Sequence, residues 1–225
     1  MSFFNVNYET QESILESFDS IANKISKDIS LKINDAIYRI IDFEYYAYSE
    51  KLSDPHTYKN DLQLQNGKLY LHGSGIDITF GDNINHGGIL LRSVVKLLDD
   101  SDEESGFMKK QFEGPQVVAT ELFSNLHPLN STKNNEIRII DSEGQNVYKN
   151  EGIIKTKRVG LTPKINDKDD FYRNLPIRYI VILPKFPKFK QSIKGIESIL
   201  TDKVKSGDIT VDDAIKILGY NKNFV

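Results

Sequence analysis

The sequence predicts an α+β fold with a strand-rich middle and helical ends. Short runs rich in β-branched and aromatic residues occupy the middle of the chain and are separated by glycine-rich or polar turns. Toward both ends, apolar residues recur instead at helical spacing. A length of 225 residues, of which 39% are hydrophobic, fits one medium-sized domain, or one domain with a small appendage.

The first predicted element is an N-terminal helix over residues 11–30. Apolar residues recur there at intervals of three and four, which places them on one helical face. These residues are Ile14, Leu15, Phe18, Ile21, Ile25 and Ile29. Thr10 precedes the run and is predicted to cap the helix.

Seven strands and one helix are predicted in the middle of the chain. The strands are predicted at residues 38–46, 68–72, 76–80, 89–98, 137–140, 153–157 and 177–183. Pro115 opens the predicted helix 115–123, at a position where its missing N–H costs nothing. The polar stretch 49–66 is predicted to be a long loop, and long loops in compact domains are more often functional than decorative.

The C-terminal part is predicted to be helical. Helices are expected over residues 191–205 and 211–218, the second capped by Thr210 and closed by Gly219. We therefore predict a main domain at residues 1–190 and a C-terminal helical appendage at residues 191–225.

Composition excludes several kinds of chemistry. With 0 Cys there is no disulfide framework, no thiol nucleophile and no cysteine-bound zinc. No apolar run approaches the roughly 20 residues that cross a bilayer, and the N-terminus lacks the basic and apolar regions of a secretion signal. We expect a cytoplasmic monomer that contacts no membrane.

The net charge of −3 conceals an asymmetry along the chain. Residues 1–106 carry 9 Lys and Arg against 18 Asp and Glu, whereas residues 107–225 carry 20 against 14. The basic excess is concentrated in residues 149–194, with 12 basic and 4 acidic residues. Its candidates for contacting a nucleic-acid backbone are Lys155, Lys157, Arg158, Lys185, Lys188 and Lys190. The region is either a face that binds a polyanion or an ordinary solvated surface.

Two charged residues lie inside apolar predicted strands. Glu44 is flanked by Phe43 and Tyr45, and Arg92 follows Leu91. A carboxylate in such a strand is exposed at an edge, paired or catalytic, because burying it alone is costly. The two residues are predicted to face each other, as a structural ion pair or as part of a site.

Ring-bearing residues occur near the same strand ends. Tyr46, His56 and His72 each lie at or beyond a predicted strand end, beside the long loop or a glycine turn. Flat faces that converge on a cavity suit a planar guest such as a purine. Taken singly, a residue of this kind is more often a packing or surface residue than part of a binding site.

Six segments in register resemble the alkyladenine (3-methyladenine) DNA glycosylase family. Its Glu-Ala-Tyr…His segment resembles IIDFEYY at 40–46 followed by His56, and its G-x-L-Y-V-Y strand resembles GKLYLH at 67–72. GILLR at 88–92 and EGP at 113–115 resemble its V-L-L-R strand and S-G-P helix start. KRVGL at 157–161 and PIRY at 176–179 follow its R-V-G-V and P-L-R-F segments. The resemblance covers roughly residues 38–183 and implies a curved, mainly antiparallel sheet.

The resemblance also implies roles for individual residues. Glu44 takes the place of the general base that activates the attacking water, and Arg92 that of the arginine holding water and carboxylate. Tyr46, His56 and His72 take the places that sandwich a flipped base. Either Thr79 or Asp77 falls near the family's pocket asparagine. No metal or other cofactor is implied, and we expect Arg92 to lower the pKa of Glu44 and so keep it ionised.

Three departures from the family bear on function. The hairpin at 72–75 carries no residue that can fill the space left by a flipped nucleotide, so duplex DNA is in doubt as substrate. The pocket asparagine is absent, and Asp77 is new and acidic. The acidic first half leaves DNA to be contacted mainly by residues 149–194.

Two functions of different classes follow. The first is a monofunctional DNA glycosylase that cleaves the N-glycosidic bond of a modified or damaged base, in repair or in defence against foreign DNA. The second is a non-catalytic module that holds a nucleic acid or a modified nucleotide in the same pocket. In both, the partner is DNA or a related nucleic acid, as duplex or single strand.

Overall fold

The computed structural model describes residues 4–97, 108–141, 152–183, 193 and 195–224. The helices are α1 (Gln11–Lys27), α2 (Pro115–Ser124), α3 (Phe171–Asn174), α4 (Ile196–Ser206) and α5 (Val211–Leu218). The strands are β1 (Ile29–Ile33), β2 (Ala36–Tyr48), β3 (Asn66–His72), β4 (Gly75–Phe80), β5 (His86–Leu97), β6 (Met108–Glu113), β7 (Ile137–Asp141), β8 (Gly152–Thr156) and β9 (Arg178–Ile182). The predicted α+β class is confirmed.

The strands form one curved antiparallel sheet that branches at its two longest members. The main path runs β3-β4-β5-β2-β1-β7, while β6 pairs with β5, and β9 pairs with both β2 and β8. The pairing of β2 with β5 is irregular around Asp42. Such an irregularity bends a strand, which lets β2 pair with β1 near its start and with β9 near its middle.

Helix α1 covers one face of this sheet. Its buried side chains include Ile14, Phe18 and Ile25. The Phe18 ring stacks on Tyr45 of β2 at 4.3 Å between centroids, and the Tyr45 hydroxyl donates to the Phe18 carbonyl oxygen. Because side chains alternate along a strand, Tyr45 faces this core while Glu44 and Tyr46 face the opposite side.

Most predicted elements are confirmed within two or three residues, and α5 matches at both ends. The predicted helix 11–30 ends at Lys27, because the last of its apolar residues belong to β1, where Ile29, Leu31 and Ile33 alternate. Strands β1 and β6 and the short helix α3 were not predicted. The predicted helix 191–205 begins later, at Ile196, with Gly195 at its N-cap position, and residues 191, 192 and 194 lie outside the described part of the chain.

The apolar core continues into the C-terminal helices. Leu200 of α4 and Ala214 of α5 are fully buried and belong to the same apolar cluster as the sheet residues. Phe224, after α5, joins the same cluster.

Candidate functional site

One row of side chains crosses five neighbouring strands and positions the candidate site. In register, Arg178 of β9 pairs with Glu44 of β2, and Glu44 with Leu90 of β5. Leu90 pairs with Asp77 of β4, and Asp77 with Tyr70 of β3. Directly opposed residues on neighbouring strands point to the same face. The sheet therefore places these five side chains on one face, away from α1.

Glu44 is fully buried, and both of its carboxylate oxygens are bound. Arg92 Nη1 lies 3.2 Å from Oε1, which also accepts the Val159 backbone N–H at 3.1 Å. The Tyr46 hydroxyl donates to Oε2 at 2.9 Å. The predicted meeting of Glu44 and Arg92 is confirmed, and these contacts fix the carboxylate in one orientation.

A second acid–base pair lies beside the first. Arg178 binds Asp42 through two parallel hydrogen bonds of 2.9 and 2.8 Å, and its Nε lies 3.9 Å from Glu44 Oε1. Arg92 Nε in turn lies 3.7 Å from Asp42 Oδ2. Two carboxylates and two guanidiniums thus compensate one another where lone charges would be costly. Asp42 and Arg178 were not predicted as site residues. Asp42 could have been found, because it lies two residues before Glu44 and residues two apart in a strand point to the same face.

The pKa of Glu44 is raised above its usual value. Burial is the largest cause, since it disfavours the charged form. Arg92, the Val159 N–H, the Tyr46 hydroxyl and Arg178 each lower the pKa but do not offset burial. Arg92 thus lowers this pKa as expected, but its influence is smaller than that of burial, so the net shift of the Glu44 pKa is upward.

A cavity of about 230 Å³ opens on this face of the sheet. It is lined by Tyr46, His56, Thr57, Tyr58, His72, Ser74, Asp77, Leu90, Gly160, Leu161, Thr162 and Lys164. Ligand pockets commonly measure about 300–1,000 Å³, so this cavity suits a guest smaller than a typical drug molecule, such as one base. Glu44 and Arg92 lie behind its Tyr46 wall.

Four of the five residues predicted for the base pocket line this cavity: Tyr46, His56, His72 and Asp77. The fifth, Thr79, does not. It is fully buried, and its hydroxyl oxygen accepts the Lys68 backbone N–H at 2.9 Å, which ties β4 to β3. Of the two alternatives left open by the sequence, the structure therefore places Asp77 at the cavity.

Tyr46 has one ring face already occupied. The Arg158 guanidinium lies 4.5 Å from its ring centroid, so only the opposite face is available for stacking with a guest. Arg158 itself is buried; it forms an ion pair with Asp54 and donates to the Tyr172 carbonyl oxygen. The prediction that Arg158 contacts a nucleic-acid backbone is contradicted by this burial.

His72 and Asp77 form a hydrogen-bonded pair in the cavity wall. His72 Nε2 lies 2.9 Å from Asp77 Oδ1, and His72 Nδ1 accepts the Ser74 backbone N–H at 3.2 Å. A ring nitrogen that accepts a hydrogen bond carries no proton, so this arrangement selects the tautomer with its proton on Nε2. Gln63 donates to Asp77 Oδ2 at 3.1 Å. Gly88 leaves room for this carboxylate, since a Cβ there would lie 2.4 Å from Oδ2.

His56 is fixed from two directions. Its backbone N–H donates to Asp54 Oδ1, and its Nε2 lies 3.2 Å from Asp167 Oδ2. Asp167 also accepts the backbone N–H groups of Tyr172 and Arg173. The contact thus joins the predicted functional loop 49–66 to the segment around residues 160–173 that forms the opposite cavity wall.

An aromatic group at the cavity was not predicted. Tyr58 is 54% exposed, and its ring lies 4.7 Å from His72, with Tyr70 close to both. The Tyr58 hydroxyl and the Ser74 hydroxyl are 2.9 Å apart, so the polar loop holds the tip of the β3–β4 hairpin. Tyr58 therefore supplies an exposed aromatic ring beside the β3–β4 hairpin, whose tip residues Gly73 and Ser74 carry no ring.

The predicted basic face is dispersed among the described residues. Lys157 is exposed, whereas Lys155 forms an ion pair with Asp19 at 2.8 Å. Lys185, Lys188 and Lys190 lie outside the described residues.

The described residues contain no group of three or more His, Cys, Asp or Glu side chains arranged to hold a metal ion. Within the same ranges, every helix is too short or too polar to span a bilayer.

No known protein-family model matches the chain. It is similar to an uncharacterised protein of Acanthamoeba polyphaga mimivirus, with 24% identity over 80% of this chain and 92% of the viral protein.

Proposed function

We propose that this protein is a nucleic-acid N-glycosylase that accepts an extruded base in the cavity and cleaves its bond to the sugar. The observation that carries the proposal is the position of Glu44. Its carboxylate is paired with Arg92 and accepts a hydrogen bond from Tyr46. Tyr46 lines the cavity together with His56, His72 and Asp77.

The proposed reaction is cleavage of the N-glycosidic bond, with Glu44 as the group that stabilises positive charge and finally accepts a proton. Breaking the bond between the anomeric carbon and the base nitrogen develops positive charge on the sugar, which a nearby carboxylate stabilises. The bonding electrons leave with the base. Water adds to the anomeric carbon, and its proton passes to the Tyr46 hydroxyl oxygen as the Tyr46 proton moves to Glu44 Oε2, to which this hydroxyl donates. A base that already carries positive charge becomes neutral on departure and needs no acid.

The cavity walls are suited to hold a flat, polar guest. The Tyr46 ring lines the cavity and offers a stacking surface, and Asp77, whose oxygens are each bound once by His72 and Gln63, retains lone pairs for a donor on a base edge. The resemblance to alkyladenine DNA glycosylases supports the same roles for Glu44, Arg92, Tyr46, His56 and His72, with DNA as the partner.

A base-release assay tests the proposal. The protein is incubated with DNA containing alkylated, deaminated and hypermodified bases, and alkali then reveals abasic sites as strand breaks. We expect breaks with the wild type, none with Glu44→Gln, and normal activity with Glu50→Gln, which removes an exposed carboxylate outside the cavity. Base release by Glu44→Gln at the wild-type rate would overturn the role given to this residue.

A second candidate is favoured by the burial of the same carboxylate. Glu44 has no exposed surface, and the Tyr46 hydroxyl lies between it and the cavity. A pocket closed in this way suits a non-catalytic module that binds a base or nucleotide. That function predicts nucleotide binding that is lost in Tyr46→Ala and His72→Ala, with no free base released by any variant.

A further inference from the structure

A larger groove lies beside the cavity and shares a wall with it. The groove measures about 620 Å³ and is lined by Tyr48, Ser53, Pro55, Lys59, Thr162, Pro163, Lys164, Ile165, Asn166 and Tyr172. Thr162 and Lys164 also line the cavity. The segment that carries these two residues therefore forms a ridge between the cavity and the groove.

The charge of the groove is positive. Lys59 and Lys164 both line it and are exposed, and no acidic side chain is among its lining residues. Lys59 comes from the acidic first part of the chain, residues 1–106, whereas Lys164 belongs to the basic region 149–194. A polyanion is the complementary ligand for such a surface.

Lys59 is held in place at the groove. Its ammonium lies 4.3 Å from the centroid of the Tyr48 ring, a distance at which a cation is attracted to an aromatic face. Its backbone has a φ of 56°, a conformation that side-chain-bearing residues adopt infrequently and that occurs often at binding sites.

The ridge is also fixed, and its anchor lies in the cavity wall. Asp167 donates its backbone N–H to the Lys164 carbonyl oxygen at 2.9 Å, and its side chain binds His56. Lys164 therefore lies on a fixed segment that borders both depressions.

We propose that the groove binds the single-stranded DNA next to the extruded base, with Lys164 on the linking phosphate and Lys59 on a further phosphate. This inference rests on the proposed function, because it assumes that the cavity holds a base. It assigns backbone contacts to Lys59, which lies outside the predicted basic region 149–194, and to Lys164, which lies inside that region but was not among its named candidates. The mixture of polar and apolar lining residues, among them the exposed Ile165, suits a nucleotide whose base is not read in detail.

Fluorescence anisotropy with an unmodified, labelled single strand of about 12 nucleotides, a length within the usual footprint of single-strand binders, tests the proposal. The double variant Lys59→Glu/Lys164→Glu is expected to bind about tenfold more weakly than the wild type. Each phosphate contact on a single strand contributes roughly 0.7 to the slope of log affinity against log salt, so that slope should fall by about 1.4.

The matched control is Lys133→Glu/Lys205→Glu, which makes the same change in net charge at two exposed lysines that line neither depression. It is expected to retain most of the affinity. Equal losses in both double variants would overturn the proposal, because the effect would then come from net charge alone. Thermal melting verifies that each variant is folded.

The same strand annealed into a duplex provides the second arm. The groove variant is expected to change duplex affinity much less than single-strand affinity, and an equal loss on the duplex would overturn the single-strand assignment.

These binding measurements do not depend on base cleavage, so they separate this inference from the proposed function. If wild-type protein releases bases while the groove variant binds the single strand normally, this inference fails and the proposed function stands. If the groove variant loses affinity while no base is released, the proposed catalysis fails instead.

Discussion

Arg92 shapes the electrostatic surroundings of Glu44 from a distance of 3.2 Å. Its charge is the largest of the influences that lower the pKa of this carboxyl, which burial raises. The sign of the resulting pH dependence is fixed, because a protonated carboxyl cannot accept a proton from water. Base release should therefore fall as the pH falls through the pKa of Glu44.

Replacing Arg92 should move this acidic limb to higher pH. In Arg92→Gln the lowering influence is lost, and a neighbouring opposite charge typically lowers a carboxyl pKa by about 1–3 units. We expect the limb to move upward by roughly one pH unit, and by less in Arg92→Lys, which retains the charge. The pH profile of single-turnover base release measures both. An unchanged limb in Arg92→Gln would contradict the coupling.

Gly88 is predicted to be required for the Asp77 side chain to fit in the cavity wall. A Cβ at this position would meet Asp77 Oδ2 at 2.4 Å and Gln63 Nε2 at 2.9 Å. Overpacking of this kind typically costs about 1–3 kcal/mol, so Gly88→Ala should lower the free energy of unfolding by that amount in urea denaturation. Gly73→Ala is the control, because a Cβ there meets nothing within 4 Å. Equal stability of the two variants would show that the close approach is not restrictive.

Individual site residues were predictable from the sequence where a charged side chain stood among apolar neighbours in a strand. Glu44 and Arg92 were identified because charges inside apolar strands need partners. Tyr58 could not be identified in the same way, because a tyrosine in a polar loop conflicts with nothing. Arg158 was assigned to the surface on charge alone, whereas its burial depends on Asp54, which is distant in sequence.

At the scale of elements, α1 depends on its N-terminal cap. Thr10 Oγ1 accepts the Ser13 backbone N–H at 3.0 Å, and Ser13 Oγ accepts the Thr10 N–H at the same distance. Losing an N-cap typically costs about 0.5–2 kcal/mol. Because α1 buries Phe18 against the sheet, Thr10→Ala should lower the free energy of global unfolding in urea by about that amount.

Thr210→Ala removes the equivalent cap from α5 and serves as the comparison. Of the residues in α5, only Ala214 is buried, so its unfolding should be local. Hydrogen exchange should show faster exchange in α5 with little change in the sheet. If Thr10→Ala left global stability unchanged, the contribution assigned to α1 would be wrong.

Elements were predictable where one periodicity dominated. The caps and spacing of α5 predicted both of its ends. The segment that contains Ile25 and Ile29 satisfies helical spacing and, from Ile29 onward, strand alternation as well, so the boundary between α1 and β1 could not be located from the pattern. That boundary depends on pairing of β1 with β2 and β7, which are contacts between distant segments.

At the scale of the whole molecule, the site depends on register between five strands. One row is formed only because β9, β2, β5, β4 and β3 are aligned as they are; its members are Arg178, Glu44, Leu90, Asp77 and Tyr70. A shift of one residue in any pair would move its side chains to the opposite face. Strand existence was predictable from local composition, whereas the branching of the sheet at β2 and β5 was not, since it is specified by contacts between segments far apart in sequence.

The most direct test of catalysis by Glu44 is base release in water enriched in oxygen-18. Mass spectrometry of the products from a modified-base oligonucleotide should find free base and one heavy oxygen on the anomeric carbon of the sugar with the wild type, and neither with Glu44→Gln. Tight binding of the oligonucleotide by wild-type protein with no free base and no incorporated label would contradict the account and leave a binding module in its place.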